Sequence, residues 1–133
     1  MSHCCCAVIG YCDDEVDILD HHYGYGIDYY TLFENDENNQ KWYRGLVLKD
    51  GKENDYMYIA NDGNKYAYKA FIVDVDWEKT FNNISMFVTK RMVVDEYDFY
   101  DHENKCVDKK KFQAFFNQYL DNEEYITLVD VHV

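Results

Sequence analysis

Two groups of carboxylates are the most concentrated chemistry in the chain. Asp13, Asp14, Glu15, Asp17 and Asp20 form the first; Asp95, Glu96, Asp98 and Asp101 form the second, with Glu103 just beyond. Tyr97 and Tyr100 are set among the second group. Carboxylates fixed on a folded surface present to Lys and Arg what phosphates present. Neighbouring tyrosines add broad contact area and a hydroxyl at low entropic cost. Composition points the same way. The 133 residues include 26 Asp and Glu against 13 Lys and Arg, a formal net charge of −13. Such a field repels nucleic acid and anionic lipid and speeds encounter with basic surfaces. Direct binding of DNA or RNA is therefore disfavoured, and binding to a basic protein, above all one that processes nucleic acid, is favoured. The acidic residues are interleaved with aromatics and do not form a low-complexity tail.

Other chemistries find less support. The cysteines are Cys4, Cys5, Cys6, Cys12 and Cys106, an odd number that does not suggest a disulfide framework. A zinc shell drawn from Cys4, Cys6 and Cys12 with His3, His21 or His22 lacks any CxxC pair. S-acylation at Cys4–Cys6 lacks an adjoining basic patch as second anchor. The run Cys4 to Ile9 reads better as a buried strand. The two serines, Ser2 and Ser85, sit in no nucleophile elbow. Cys12 or Cys106 with His102 is the remaining nucleophile–base combination, and sequence does not bring them together. No glycine loop for phosphate and no HExxH pattern is present. The oxygen-rich stretch Asp98–Lys110 lacks the glycine and the closing Glu of a calcium loop. No cofactor and no metal is expected.

These groups need a scaffold. A chain of this length fits one domain that buries a core unaided. Cys4–Tyr11 reads as a central strand, because both its faces are apolar. Asp13–Asp20 reads as a short acidic helix, with Cys12, Val16 and Leu19 at helical spacing. Ile27–Phe33 is a strand and Glu34–Gln40 a polar loop. Lys41–Lys49, Asp55–Ala60 and Lys65–Val75 read as a three-strand meander joined at Asp50-Gly51 and Asp62-Gly63. In its third strand Lys69 interrupts the apolar face of Ala67, Phe71, Val73 and Val75. Asp76 caps a helix carrying Trp77, Phe81, Ile84 and Val88, with a strand over Ile84–Thr89 as the alternative. Met92–Tyr100 reads as an edge strand. Asp108 caps a long helix with a Phe112, Phe115, Phe116, Tyr119, Leu120 stripe, and Tyr125–Val133 closes the chain as a strand. The expected fold is α+β: a mostly antiparallel sheet of five or six strands around that meander, with one long and one or two shorter helices on one face.

Lys41-Trp42-Tyr43-Arg44-Gly45-Leu46-Val47-Leu48, followed by Asn61-Asp62-Gly63-Asn64, resembles the core of a Tudor-type small barrel. The turn lacks the aromatic residue of that pattern, and any antiparallel hairpin pair produces the rest, so no family is assigned on it. No apolar run long enough to cross a membrane and no signal peptide is apparent, so the expected setting is cytoplasmic, away from membranes. The expected role is an inhibitory binding protein, not an enzyme, acting as monomer or homodimer. It would block a basic partner such as a nuclease, as a toxin-immunity protein does or as a phage DNA mimic of the anti-CRISPR or anti-restriction kind does. A structural or assembly module is the alternative. A small metal-assisted enzyme using carboxylates with His21, His22 or His102 is the third reading.

Overall fold

The computed structural model describes residues 3–10, 15–22, 29–88, 93–95 and 124–132. The architecture is mixed: a mostly antiparallel sheet with a few short helices. The continuous apolar run near the start forms β1 (His3–Gly10), and the closing run forms β8 (Tyr125–His132). They pair antiparallel along their whole length, Cys6 opposite Val129. On its other edge β1 pairs in parallel with β6 (Met86–Val88), Cys6 opposite Met86. β7 (Val93–Asp95) then pairs antiparallel with β6 and is the last strand on that side among the described residues. The second edge of β8 is shared. β2 (Tyr29–Leu32) lies against Val129–His132, and β5 (Lys69–Phe71) lies against Tyr125–Thr127.

Alternation along β1 and β8 feeds two cores, one on each face of the sheet. Cys6, Val8, Met86, Val88, Val129 and Val131 face one way. They are covered by Ile18 and Leu19 of α1 (Glu15–His22). Cys5, Ala7, Ile9, Phe87, Ile126 and Leu128 face the other way, against Leu46, Tyr58, Tyr66, Ala67 and Val75. A sheet buried on both faces explains why its middle strands read as unbroken apolar runs. It also corrects the expectation that helices pack on one face only. α1 covers one side, while Trp77 of α3 (Trp77–Thr80) packs near Phe87 on the other, ring centroids 6.2 Å apart.

The second correction is the meander. Asp36 accepts from the amides of Asn38 and Asn39 and caps α2 (Glu37–Trp42), so the expected polar loop and the start of the first strand are helical. Only Leu46 and Leu48 of that segment make strand-like bridges, to Ala67 and Val75. The hairpin of β3 (Met57–Ile59) and β4 (Lys65–Ala67) is present, closed at Gly63 with φ +83°. Gly51 has φ +78°, also as its Asp-Gly turn requires, but no hairpin follows it. Trp42 is 77% exposed at the end of α2, and not on a barrel strand. After Asp76 the helix is short. The buried Thr80 hydroxyl accepts from the Val47 amide at 2.9 Å, a 3-10 turn follows at Phe81–Asn83, and Met86–Val88 extends as the alternative reading had it.

The expected third strand, Lys65–Val75, divides: β4 ends at Ala67, Ile72–Asp74 is a 3-10 turn, and the piece between, β5, leaves the hairpin for β8 and begins at Lys69. Lys69 is buried, and its ammonium lies 5.7 Å from the ring centres of both Tyr56 and Tyr125. The edge strand expected over Met92–Tyr100 is seen at Val93–Asp95. Its remainder and the helix expected after Asp108 lie outside the described residues.

Candidate functional site

The first acidic group stands on α1. This helix follows from Val16, Ile18 and Leu19, of which the last two are buried and leave Asp17 and Asp20 in solvent. Val16 is 40% exposed on the same outward side, four residues before Asp20. The Tyr30 hydroxyl on β2 donates to Asp20 Oδ1 at 2.9 Å and fixes that carboxylate against the sheet. Burial of the phenol, followed by its bond to Asp20 and the Asp20 charge, pushes the Tyr30 pKa up to about 12. Glu15 lies in the first turn of α1, and Asp13 and Asp14 lie outside the described residues.

Of the second group, Asp95 is the last residue of β7, paired with Met86. Met86 belongs to the core that α1 covers. The fold therefore brings the edge carrying Asp95 onto the same sheet as α1. Glu96, Tyr97, Asp98, Tyr100 and Asp101 lie outside the described residues.

Charge is sharply divided over the described residues. All seven Lys and Arg fall between Lys41 and Lys79, alongside seven Asp and Glu. Three of these cations are paired within the layer: Arg44 with Asp62 at 3.2 Å, Lys65 with Glu53 at 3.2 Å and Lys52 with Asp74 at 3.6 Å. The remaining described residues carry nine Asp and Glu and no Lys or Arg. From Glu34 to Lys79 the layer on one face of the sheet thus carries ten Asp and Glu against seven Lys and Arg, and α1 on the opposite face carries Glu15, Asp17 and Asp20 with no Lys or Arg in the helix.

A third cluster was missed by sequence reasoning. Asp130 is a carboxylate within the apolar run of β8, and it is buried. It accepts from the Tyr43 hydroxyl at 2.7 Å and contacts His3 Nδ1 at 3.0 Å. His132 stacks on Tyr29 at 4.6 Å and meets His3 edge-on at 4.9 Å. Strand parity assembles all of this: His3 on β1, Asp130 and His132 on β8 and Tyr29 on β2 come to one end of one sheet face. The available signal was a lone Asp between Val129 and Val131.

The carboxylate can orient the His3 ring, as in an acid–base pair. The groups beside it are held neutral. Burial, then the bond to Asp130, pushes the Tyr43 hydroxyl up, and burial pushes the Cys5 thiol up as well. Neither is an activated nucleophile in this setting. Among the described residues no group of three or more His, Cys, Asp or Glu is placed to hold a metal, and no helix is long and apolar enough to cross a membrane. No family model, no curated protein and no solved structure matches this chain.

Proposed function

We propose that this chain is an acidic inhibitory binding protein that seats its α1 side in the basic groove of a nucleic-acid-processing enzyme. The supporting observation is the division of charge across the sheet. A net charge of −13 spread evenly would serve solubility alone. Here Asp17 and Asp20 project from a helix without Lys or Arg, while all seven described Lys and Arg lie in the opposite layer, three of them in ion pairs there. Asp20 is held by Tyr30, and Val16, 40% exposed on the same helix, offers an apolar contact. Fixed carboxylates facing Lys and Arg steer encounter and set orientation. Desolvated apolar and aromatic contacts then hold the complex. Glu96, Tyr97, Asp98, Tyr100 and Asp101, which follow β7 in the sequence, are the second candidate group for the same partner.

The test is capture of partners from a native extract on immobilised protein, with elution by salt and mass spectrometry. The reading expects basic, nucleic-acid-processing proteins released by modest salt, because interactions between exposed charges are screened within about 10 Å at 0.1 M salt. Recovery of neutral or acidic proteins, indifferent to salt, overturns it.

A further inference from the structure

Two Asp-Gly pairs stand in exposed turns, Asp50-Gly51 and Asp62-Gly63. An aspartyl carboxyl is open to attack by the next backbone nitrogen, and glycine favours this because it has no side chain to screen that nitrogen. Both glycines have positive φ, +78° at Gly51 and +83° at Gly63, and a Cβ at either would meet nothing within 4 Å. By sequence and by surrounding space the two sites are equivalent. Their hydrogen bonding is not.

At Asp62 both reacting groups are held. Asp62 Oδ1 accepts from the Asn64 amide at 2.9 Å. Oδ2 accepts from the Tyr66 hydroxyl at 2.5 Å and lies 3.2 Å from Arg44 Nε. The Gly63 amide, which would have to attack, donates to the Ala60 carbonyl at 3.0 Å. The Tyr66 bond, followed by that from the Asn64 amide, also holds the Asp62 carboxyl below the usual carboxylate range. It therefore stays in the ionised form, which a nucleophile attacks least readily. At Asp50 neither reacting group is held. The turn is closed by residues outside the pair: the Lys52 amide donates to the Lys49 carbonyl at 2.9 Å, and the Lys49 amide donates to the Asp74 carbonyl at 2.9 Å. Among the described residues the Asp50 carboxylate and the Gly51 amide make no hydrogen bond. The peptide plane between them can turn without breaking one.

We propose that Asp50-Gly51 is a site of spontaneous covalent modification, where the chain converts to isoaspartate, and that its hydrogen bonds protect Asp62-Gly63 from the same reaction. The Gly51 nitrogen attacks Cγ of the protonated Asp50 carboxyl. An N–C bond forms, and the amide proton and the carboxyl hydroxyl leave as water, which gives a cyclic imide. Water then adds to one of the two imide carbonyls, and the C–N bond at that carbonyl breaks. Cleavage at Cγ restores aspartate. Cleavage at the main-chain carbonyl leaves the backbone running through Cβ and Cγ, with a free carboxylate on Cα. Nothing is oxidised or reduced, and the water released is taken back. The product adds a methylene between Lys49 and Lys52, whose hydrogen bond closes the turn, and Lys52 also pairs with Asp74 at 3.6 Å. The new carboxylate is the substrate class of methyltransferases that esterify isoaspartyl groups with S-adenosylmethionine, and residues 49–52 are all exposed to such an enzyme. This site stands whether or not α1 binds a basic protein.

The experiment ages the full-length folded protein at neutral pH and physiological temperature and maps isoaspartate at the two positions by electron-transfer fragmentation of its peptides. Isoaspartate is expected at Asp50, with Asp62 slower by at least about tenfold, because attack there must wait for local opening. Labelled methyl transfer from S-adenosylmethionine by an isoaspartyl methyltransferase should rise with ageing and fall in Asp50→Glu, whose longer side chain cannot close the same ring. In protein aged in urea the two sites should convert at similar rates. In folded Tyr66→Phe, which removes one of the bonds on Asp62, conversion at Asp62 should speed up. Equal rates at the two sites in the folded protein, or faster conversion at Asp62, overturn the proposal. So does no conversion at Asp50 over a period in which the urea-unfolded protein converts at both.

Discussion

The Tyr43 hydroxyl donates to Asp130 Oδ1 at 2.7 Å, while His3 Nδ1 contacts the other carboxylate oxygen at 3.0 Å. One buried carboxylate thereby joins the start of β1, the end of β8 and the segment that leads out of α2. A second bond continues the tie, because the Tyr58 hydroxyl donates to the Tyr43 carbonyl at 2.8 Å. The sheet and the hairpin layer are linked through Tyr43. Removing its hydroxyl leaves part of a buried carboxylate without its donor, a defect that costs about 1–3 kcal/mol. Tyr43→Phe is accordingly expected to unfold at lower urea with an unchanged denaturant slope. Urea denaturation followed by far-ultraviolet circular dichroism checks this, and a midpoint equal to wild type contradicts it.

Tyr30 gives a pH dependence with a definite sign. Its pKa rises from the ordinary 10 to about 12 in the folded protein, through burial first and then through Asp20. Above pH 10 the unfolded chain loses the phenolic proton while the folded chain keeps it. The contribution of this group to stability is therefore complete below pH 10 and is lost as pH rises toward 12. Absorbance titration of tyrosinate should show several late-titrating phenols, since burial raises Tyr43, Tyr58, Tyr66 and Tyr68 as well, and Tyr30→Phe should remove one of them. The same phenol should titrate earlier in Asp20→Asn, which removes the negative charge beside it.

Gly45 sits against both the hairpin and the sheet. A methyl group there would run into the Tyr58 hydroxyl and lie 2.9 Å from the Ala67 carbonyl oxygen and 3.0 Å from a Leu128 methyl. The backbone neighbour cannot yield as a flexible side-chain tip would, and Tyr58 would have to surrender its bond to Tyr43. Gly45→Ala is expected to destabilise by about 1–3 kcal/mol, as overpacking in well-filled cores does. A thermal melt checks it. Gly63→Ala also destabilises, but by a different route, since φ there is +83° and open space surrounds the position.

Much of the scaffold was legible in the sequence. Unbroken apolar runs identified β1 and β8 because those strands are covered on both faces, and the Asp-Gly pairs marked two positive-φ positions correctly. The first strand of the expected meander was misread for a local reason. Asp36 caps a helix through the amides of Asn38 and Asn39, and that local bond outweighs the strand-like pattern of Lys41–Tyr43. Lys69 looked like an interruption because a sequence does not show that Tyr56 and Tyr125 converge on its ammonium. The α1 carboxylates were legible as a group, since an acidic helix needs only its own periodicity to be recognised. Their isolation from every described cation was not, because it depends on which face of the sheet each segment covers. The cluster around Asp130 was not legible for the same reason: its members meet only through the pairing of the first and last strands with β2.

In the proposed function the position of the α1 carboxylates, and not total charge, selects a basic partner. The direct measurement is parallel capture from a native extract on three immobilised proteins: wild type, Asp17→Lys/Asp20→Lys, and Asp50→Lys/Asp55→Lys. The two variants have equal net charge, and all four substituted positions are exposed. Wild type and Asp50→Lys/Asp55→Lys are expected to retain the same basic, salt-released proteins, and Asp17→Lys/Asp20→Lys is expected to lose them. Equal retention by the two variants, or equal loss, contradicts the proposed function.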